Sequence, residues 1–216
     1  PCEVRTYELT GDDTQGFRPS APVYFSAADF RAFKLSDHLP NQGVKPVLRL
    51  DYHEQPASRA AHMRLVEHVR SLYWDDGSDT APPSVQLAFG QHGPRGLKYE
   101  DYKLAMTNGL LGAVFATADA MSNKLDWPLA TAPVETCRDR LDDSTISGYS
   151  QGPQVGMPAG QYWLRSGTAG FAANAHARFF TPERYTDPFN NVTTLQFDPL
   201  NLYVQSSTDA RGNAVA

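Results

Sequence analysis

Arg64-Leu65-Val66-Glu67-His68-Val69-Arg70-Ser71-Leu72-Tyr73 is the stretch on which the fold turns. Leu65, Val66, Val69, Leu72 and Tyr73 fit a helical stripe, and Ser58 upstream can cap such a helix. Three of those five positions carry β-branched or aromatic residues, the types that suit a pleated strand. Read as a helix, the segment gives an α+β single domain; read as a strand, it gives a mainly β chain. These ten residues by themselves leave both open.

The flanks lean towards strands. Glu3 to Leu9 reads as a strand closed by Gly11-Asp12-Asp13. Val47 to His53 alternates, with Leu48, Leu50 and Tyr52 on one face and Arg49, Asp51 and His53 on the other. Val85, Leu87 and Phe89 alternate after Pro82-Pro83, and Tyr99 to Met106 is extended. Gln161 to Arg165, Val192 to Phe197 and Leu202 to Ser206 are three further short strands. Helices are expected over Ser26 to Phe33, where Ser26 can cap the amide of Asp29, and over Gly109 to Ala118. Asp119 to Gly160 carries Gly, Pro, Asp and Ser in quantity and reads as an irregular insertion. The chain therefore divides into 1–118, 119–160 and 161–216.

The tail repeats itself. Thr186-Asp187-Pro188-Phe189-Asn190-Asn191-Val192 returns as Thr208-Asp209-Ala210-Arg211-Gly212-Asn213-Ala214, an offset of 22 residues. Asn190-Asn191 and Gly212-Asn213 hold equivalent places, and both pairs accept the positive φ of tight hairpin turns. Phe197-Asp198-Pro199 lies between the copies. A period near 20 residues with a turn and two strands suggests stacked β units.

Composition narrows the function. The chain has 216 residues, 41% hydrophobic and 20% charged, enough for one core or two small ones. No apolar run nears the roughly 20 residues of a membrane-spanning helix. Nineteen Lys and Arg against 24 Asp and Glu give a net charge of −5, not the basic field that phosphate binding needs. Sixteen Gly and 16 Pro, with 10 Tyr and 11 Phe, suit a β structure rich in turns. The start at Pro1-Cys2-Glu3, without Met or leader, and the closing turn signal at Gly212-Asn213 suggest a segment of a longer chain. Cys2 and Cys137 read as two separately buried thiols, with a bridge between them left open.

The chemical motifs are weak in context. Gly148-Tyr149-Ser150-Gln151-Gly152 is a literal G-x-S-x-G and resembles the nucleophile elbow of cutinases. An elbow needs an apolar strand before it and a helix after it. Here Asp142 to Ser147 holds one large apolar residue, and Pro153, Gly156 and Pro158 follow. The only downstream histidine is His176, with no acid between it and Ser150. Asp51, His53, Glu54 and His62 contain metal-ligating types, but the two His are nine apart with Pro56 between them, which rules out the pairing of two His on one helix face. Asp75-Asp76-Gly77-Ser78-Asp79 lacks the sixth-position glycine and closing Glu of a calcium loop and reads as a polar turn. Asn191-Val192-Thr193 is a formal glycosylation sequon. Tyr162 and Trp163, with Phe179 and Phe180, are either a sheet core or a sugar-binding platform, and core is the ordinary use. No catalytic, metal-binding or cofactor-binding residue is assigned, and no cofactor is expected.

A family resemblance runs along the chain. Pro1-Cys2-Glu3-Val4-Arg5-Thr6-Tyr7-Glu8-Leu9-Thr10-Gly11 resembles a segment of the B component of insecticidal toxin complexes (Tc toxins), past the propeller and before the Rhs/YD repeats. Phe25 to Arg31, Arg64 to Tyr73 and Tyr102 to Leu111 are similar to later blocks in the same order. Gly148-Tyr149 resembles a Gly-Tyr pair of the family, with Tyr162-Trp163 and Ser166-Gly167 in the places that follow it. Arg178 to Phe189 and Phe197-Asp198-Pro199 resemble its run into the YD repeats, with Phe197 for the usual Tyr and Asn190 for a usual Gly. The resemblance is loosest over Pro40 to Ala57 and Asp119 to Asp143.

That resemblance implies a mainly β fold: a curved antiparallel sheet segment of an Rhs/YD-type shell with short helical insertions. It tips Arg64 to Tyr73 to strand. It also implies a secreted bacterial, non-enzymatic role in a hollow shell around a toxic effector. The partners would be the rest of the chain, a C component, an A-component translocator and the effector, with no nucleic acid and no direct membrane insertion. A carbohydrate- or receptor-binding β module around Trp163, and a serine hydrolase at Ser150, are the alternatives.

Overall fold

The computed structural model describes residues 2–10, 48–52, 54, 62–115, 133–151 and 159–216. The chain is mainly β and forms two units, one of residues Pro1–Val4 with Val69–Ala216 and the other of Arg5–His68. In chain order the elements are β1 (Glu3–Thr10), β2 (Leu48–Leu50), β3 (His62–Tyr73), β4 (Lys98–Thr107), α1 (Asn108–Phe115), α2 (Pro133–Asp142), α3 (Ser144–Ser147), β5 (Tyr149–Gln151), β6 (Gln161–Arg165), β7 (Thr168–Gly170), a 3-10 turn (Ala175–Arg178), β8 (Arg184–Thr186), β9 (Val192–Phe197), β10 (Val204–Thr208) and β11 (Ala214–Val215). Strands β1 and β3 have residues in both units.

The deciding stretch is a strand, twelve residues long. The helical stripe fails because the segment is used on both faces. Arg70, Ser71, Leu72 and Tyr73 are all buried, as is His68, so no polar helix face exists to meet water. In the smaller unit, β2 pairs in parallel with β3 at Leu48↔His62 and Leu50↔Arg64. The alternation expected to His53 stops at Leu50, because Asp51 and Glu54 close a turn there: the Glu54 N–H donates to the Asp51 carbonyl at 3.0 Å.

In the larger unit, β3, β4, β6 and β5 lie side by side in that order, antiparallel throughout. Irregularities at Leu72/Tyr73 and Leu104/Met106 interrupt the ladder, as bulges do where a strand must bend. Pairing at Leu104↔Trp163 and Trp163↔Ser150 puts these three on one face, with Trp163 fully buried. A second antiparallel sheet runs β11-β10-β9-β8-β7. The chain passes between the sheets in two residues, Ser166 and Gly167. Gly167 sits at φ 91°, and a Cβ there would lie 2.9 Å from the Thr186 carbonyl oxygen.

Several expectations need correcting. Val85 to Phe89 is not a strand. It makes one bridge, Trp74↔Gln86, and Val85 is 59% exposed. Pro82 and Pro83 supply no N–H to a ladder, and Gly90 at φ 90° turns the chain away. Of the stretch 119–160, residues 133–151, 159 and 160 are described and hold α2, α3 and β5, against the irregular insertion expected there; 119–132 and 152–158 lie outside the described residues. Pro133 at the first position of α2 and Arg140 in its last turn are ordinary helix signals in a polar sequence. Strand β10 begins at Val204 rather than Leu202. The helix expected over Ser26 to Phe33 lies outside the described residues, as do Val47, His53 and residues 116–118. Helix α1 is as expected over the part described, with the Thr107 hydroxyl oxygen accepting from the Leu110 N–H at 3.1 Å.

Candidate functional site

Three polar constructions organise the larger unit, and each starts from short-range sequence. The first is a buried charge pair on the face of Trp163. Glu100 and Tyr102 are two apart on β4 and so share a face, and Tyr102 pairs with Arg165 across the ladder. The Glu100 side chain is fully buried and accepts from Arg165 at 2.8 Å and 3.1 Å and from the Tyr102 hydroxyl at 2.6 Å. Burial, then the bond to Glu100, holds the Tyr102 hydroxyl far above the usual phenol range. Burial works against the Arg165 charge, but the Glu100 carboxylate outweighs it and raises the guanidinium. Beside this pair, Arg70 bonds Glu3 at 2.9 Å and lies over the rings of Phe89 and Trp163.

The second is a clip closing the long connection from β3 to β4. Asp76 is 1% exposed, and its carboxylate accepts from the Arg95 N–H at 3.1 Å and the Leu97 N–H at 2.9 Å. The Arg95 guanidinium donates to the Asp76 and Ser78 carbonyls and the Asp79 carboxylate, and lies 4.4 Å over the Phe180 ring. Asp75 to Asp79 is therefore the polar turn expected, with Arg95 as its cation. Trp74, Leu97 and Phe180 pack against the cluster of Ala169, Phe171 and Ala175. Phe179 and Phe180 both adopt left-handed backbone, at φ 54° and 52°. For bulky residues this costs about 1–2 kcal/mol each. It sends Phe180 inward and leaves Phe179 71% exposed.

The third is the repeat, which is finer than the 22-residue offset shows. Asp187, Asp198 and Asp209 stand eleven residues apart, and each opens a hairpin turn. Asp187 accepts from the amides of Phe189 and Asn191 at 2.8 Å each, and Asp209 from those of Arg211 and Asn213 at 2.9 Å and 2.8 Å. Asp198 accepts from Leu200, Leu202 and Tyr203, in a turn one residue longer. Asn190, Asn201 and Gly212 supply the positive φ in the three turns. Asn191 and Asn213 lower the Asp187 and Asp209 carboxyls below the usual carboxylate range, and backbone amides, first that of Tyr203, do so for Asp198.

A folded-state pKa below the unfolded value stabilises above about pH 4, where the unfolded Asp also ionises, and that stabilisation is lost as pH falls through the folded value. The three turns are therefore expected to loosen together below about pH 4. Amide exchange at Asn191, Tyr203 and Asn213 checks this. At neutral pH, Asp198→Ala should speed exchange at Leu202 and Tyr203 and leave Asn191 and Asn213 unchanged.

Ser150 and His176, the serine and histidine of the elbow reading, lie on separate elements. Ser150 lies within β5, 6% exposed, and a helix precedes it where an elbow has a strand. Gly148 is the left-handed cap of α3, whose start is held by Asp143. His176 sits in the 3-10 turn. Tyr162 and Trp163 are core residues, 2% and 0% exposed, while Phe179 points to solvent. Burial, then a hydrogen bond to Asp142 at 3.0 Å, pushes the Tyr162 hydroxyl up to about 12. The sequon amide of Asn191 is engaged with the Asp187 carboxylate at 2.9 Å. Among the described residues no metal-binding group of His, Cys, Asp and Glu occurs; His53 lies outside them. Cys2 is a half-buried free thiol rather than a buried one, and the Cys137 side chain lies outside the described residues. Sequence reasoning missed the Glu100–Arg165 pair and the Asp76 clip. The buried acid two residues before a buried Tyr on one strand face was the only local signal for the pair.

No family model matches the chain, and no curated protein does. Among solved structures it is weakly similar to TcdB2-TccC3, with a TM-score of 0.35 and 12% identity over 70% of this chain and 7% of that one. The same complex without its hypervariable C-terminal region gives 0.32 and 14%, over 70% of this chain and 7% of that one. TcdB2-TccC3-TEV gives 0.32 and 14%, over 74% and 7%. The chain thus spans about 7% of the length of the structures it is similar to.

Proposed function

We propose that this chain is a structural, non-enzymatic wall segment of a secreted bacterial toxin complex, part of a hollow shell around a toxic effector. The observation that carries the reading is the run of aspartate-locked hairpins at Asp187, Asp198 and Asp209. Each turn fixes its own register with side chain and backbone alone, so the sheet extends by repetition and needs no dedicated core at every step. An enclosing wall requires that property, whereas a catalytic site requires convergent reactive groups. The sequence resemblance to the Tc toxin B component, most specific over Arg178 to Pro199, supports the same reading. Its partners would be a C component, an A-component translocator and the enclosed effector.

The test is to read the natural coding frame in both directions and image the full product assembled with its C component. A propeller-like region upstream, Tyr-Asp repeats downstream and a hollow particle with this segment in its wall are expected. A solid particle, or this segment standing outside the wall as a free domain, sinks the reading. For the non-enzymatic part, wild type and Ser150→Ala should both show only background ester hydrolysis. Activity abolished by the substitution would count against it.

A further inference from the structure

We propose that the cavity between the start of β4 and the β7–β8 hairpin is a binding site for a neutral saccharide. It has a volume of about 350 Å³, and Tyr99, Phe171, Phe180 and Tyr185 give it four aromatic walls. That volume lies at the lower end of the range for small-molecule sites, with room for a mono- or disaccharide. Lys98, Asp101 and Ser166 also line it, and the Ser166 hydroxyl accepts from the Asp101 N–H at 2.9 Å and donates to the Gly167 carbonyl at 3.1 Å.

The charges argue for a neutral occupant. Lys98 is paired with Asp101 at 2.8 Å, and the other Asp101 oxygen accepts from the Ser71 hydroxyl. Glu100, which also borders the cavity, is committed to Arg165 and Tyr102. A charged ligand would have to displace one of these partners. A wholly apolar ligand would leave the phenol hydroxyls of Tyr99 and Tyr185, each both donor and acceptor, without use in the site. A sugar ring has what the lining asks for: C–H faces to lie on aromatic rings and a hydroxyl edge for the phenols.

The walls are also held in place before anything binds. Phe180 keeps a strained left-handed backbone that turns its ring into the cavity, and Arg95 lies 4.4 Å over that ring. Trp74 meets Tyr99 edge-on at 4.7 Å, so its fluorescence reports on the wall. Preorganised aromatic walls reduce the ordering needed on binding.

The 216-residue chain is to be titrated with maltose, cellobiose and chitobiose, followed by Trp fluorescence and saturation-transfer NMR. Saturable binding of at least one is expected, weakened at least tenfold by Tyr185→Ala. Tyr185 is 42% exposed, so this variant should keep the wild-type melting temperature. Phe179→Ala, on the outward neighbour, should bind as wild type does. Three outcomes overturn the proposal: no saturable binding of any of the three sugars, binding indifferent to Tyr185→Ala, or tighter binding of glucose 6-phosphate or a proline-rich peptide than of the neutral sugars.

Discussion

Arg165→Ala is expected to lower the unfolding free energy by about 3–5 kcal/mol, the usual penalty for stranding one member of a buried ion pair. The asymmetry of the pair sets the size. Arg165 keeps 29% of its side chain in contact with solvent, whereas the Glu100 side chain has none. Removing the arginine therefore leaves a carboxylate that, among the described residues, has only the Tyr102 hydroxyl to satisfy it. Urea denaturation of wild type and variant gives the number. Arg165→Met separates charge from packing: it keeps the bulk but not the charge, so it should lose about as much as Arg165→Ala does. A much smaller loss from Arg165→Met would show that packing, not charge, held the site.

Gly93→Ala is the second large effect, about 3 kcal/mol, from the loss of charge-assisted hydrogen bonds to a buried carboxylate. A Cβ at residue 93 would lie 1.9 Å from Asp76 Oδ1, 2.5 Å from its Cγ and 3.0 Å from its backbone N. The carboxylate cannot swing aside, because the amides of Arg95 and Leu97 hold both oxygens. It must abandon them, and the clip over Trp74 and Leu97 opens. Thermal denaturation measures the loss. Gly77→Ala, beside Asp76 in the Asp75–Asp79 turn, meets only Asp75 Oδ1 at 3.6 Å and should change little. Equal effects from the two substitutions would mean that turn entropy, not the Asp76 contact, explains the result.

Strands that alternate or end at a turn residue were legible in the sequence. Gln161–Arg165 and Val192–Phe197 have the bounds that their residues suggest. Strand β3 was not legible from periodicity, since burial on both faces erases the alternation that marks a strand. Val85 to Phe89 misled in the opposite sense: it has the alternation, but its pairing stops at the single bridge Trp74↔Gln86. The hairpin run was seen only at its 22-residue offset. Successive turns lie at opposite ends of the sheet, and the Asp198 turn, one residue longer, uses Leu200 to Tyr203 where the others use Asn-Asn or Gly-Asn. The aspartate is what all three share, and one residue in eleven is a faint signal. Nothing in composition shows that Glu100 meets Arg165, because 65 residues separate them in the chain and only strand order joins them.

The alternation of the aspartate turns also fixes which changes in gene length the tail can absorb. Duplicating 11 residues adds one strand and one turn, so everything downstream would run in the reverse direction and leave from the opposite end of the sheet. Duplicating 22 residues restores both heading and exit. In-frame gains and losses should therefore survive in even numbers of strands, which makes the strand pair, not the single strand, the unit by which such a tail can grow.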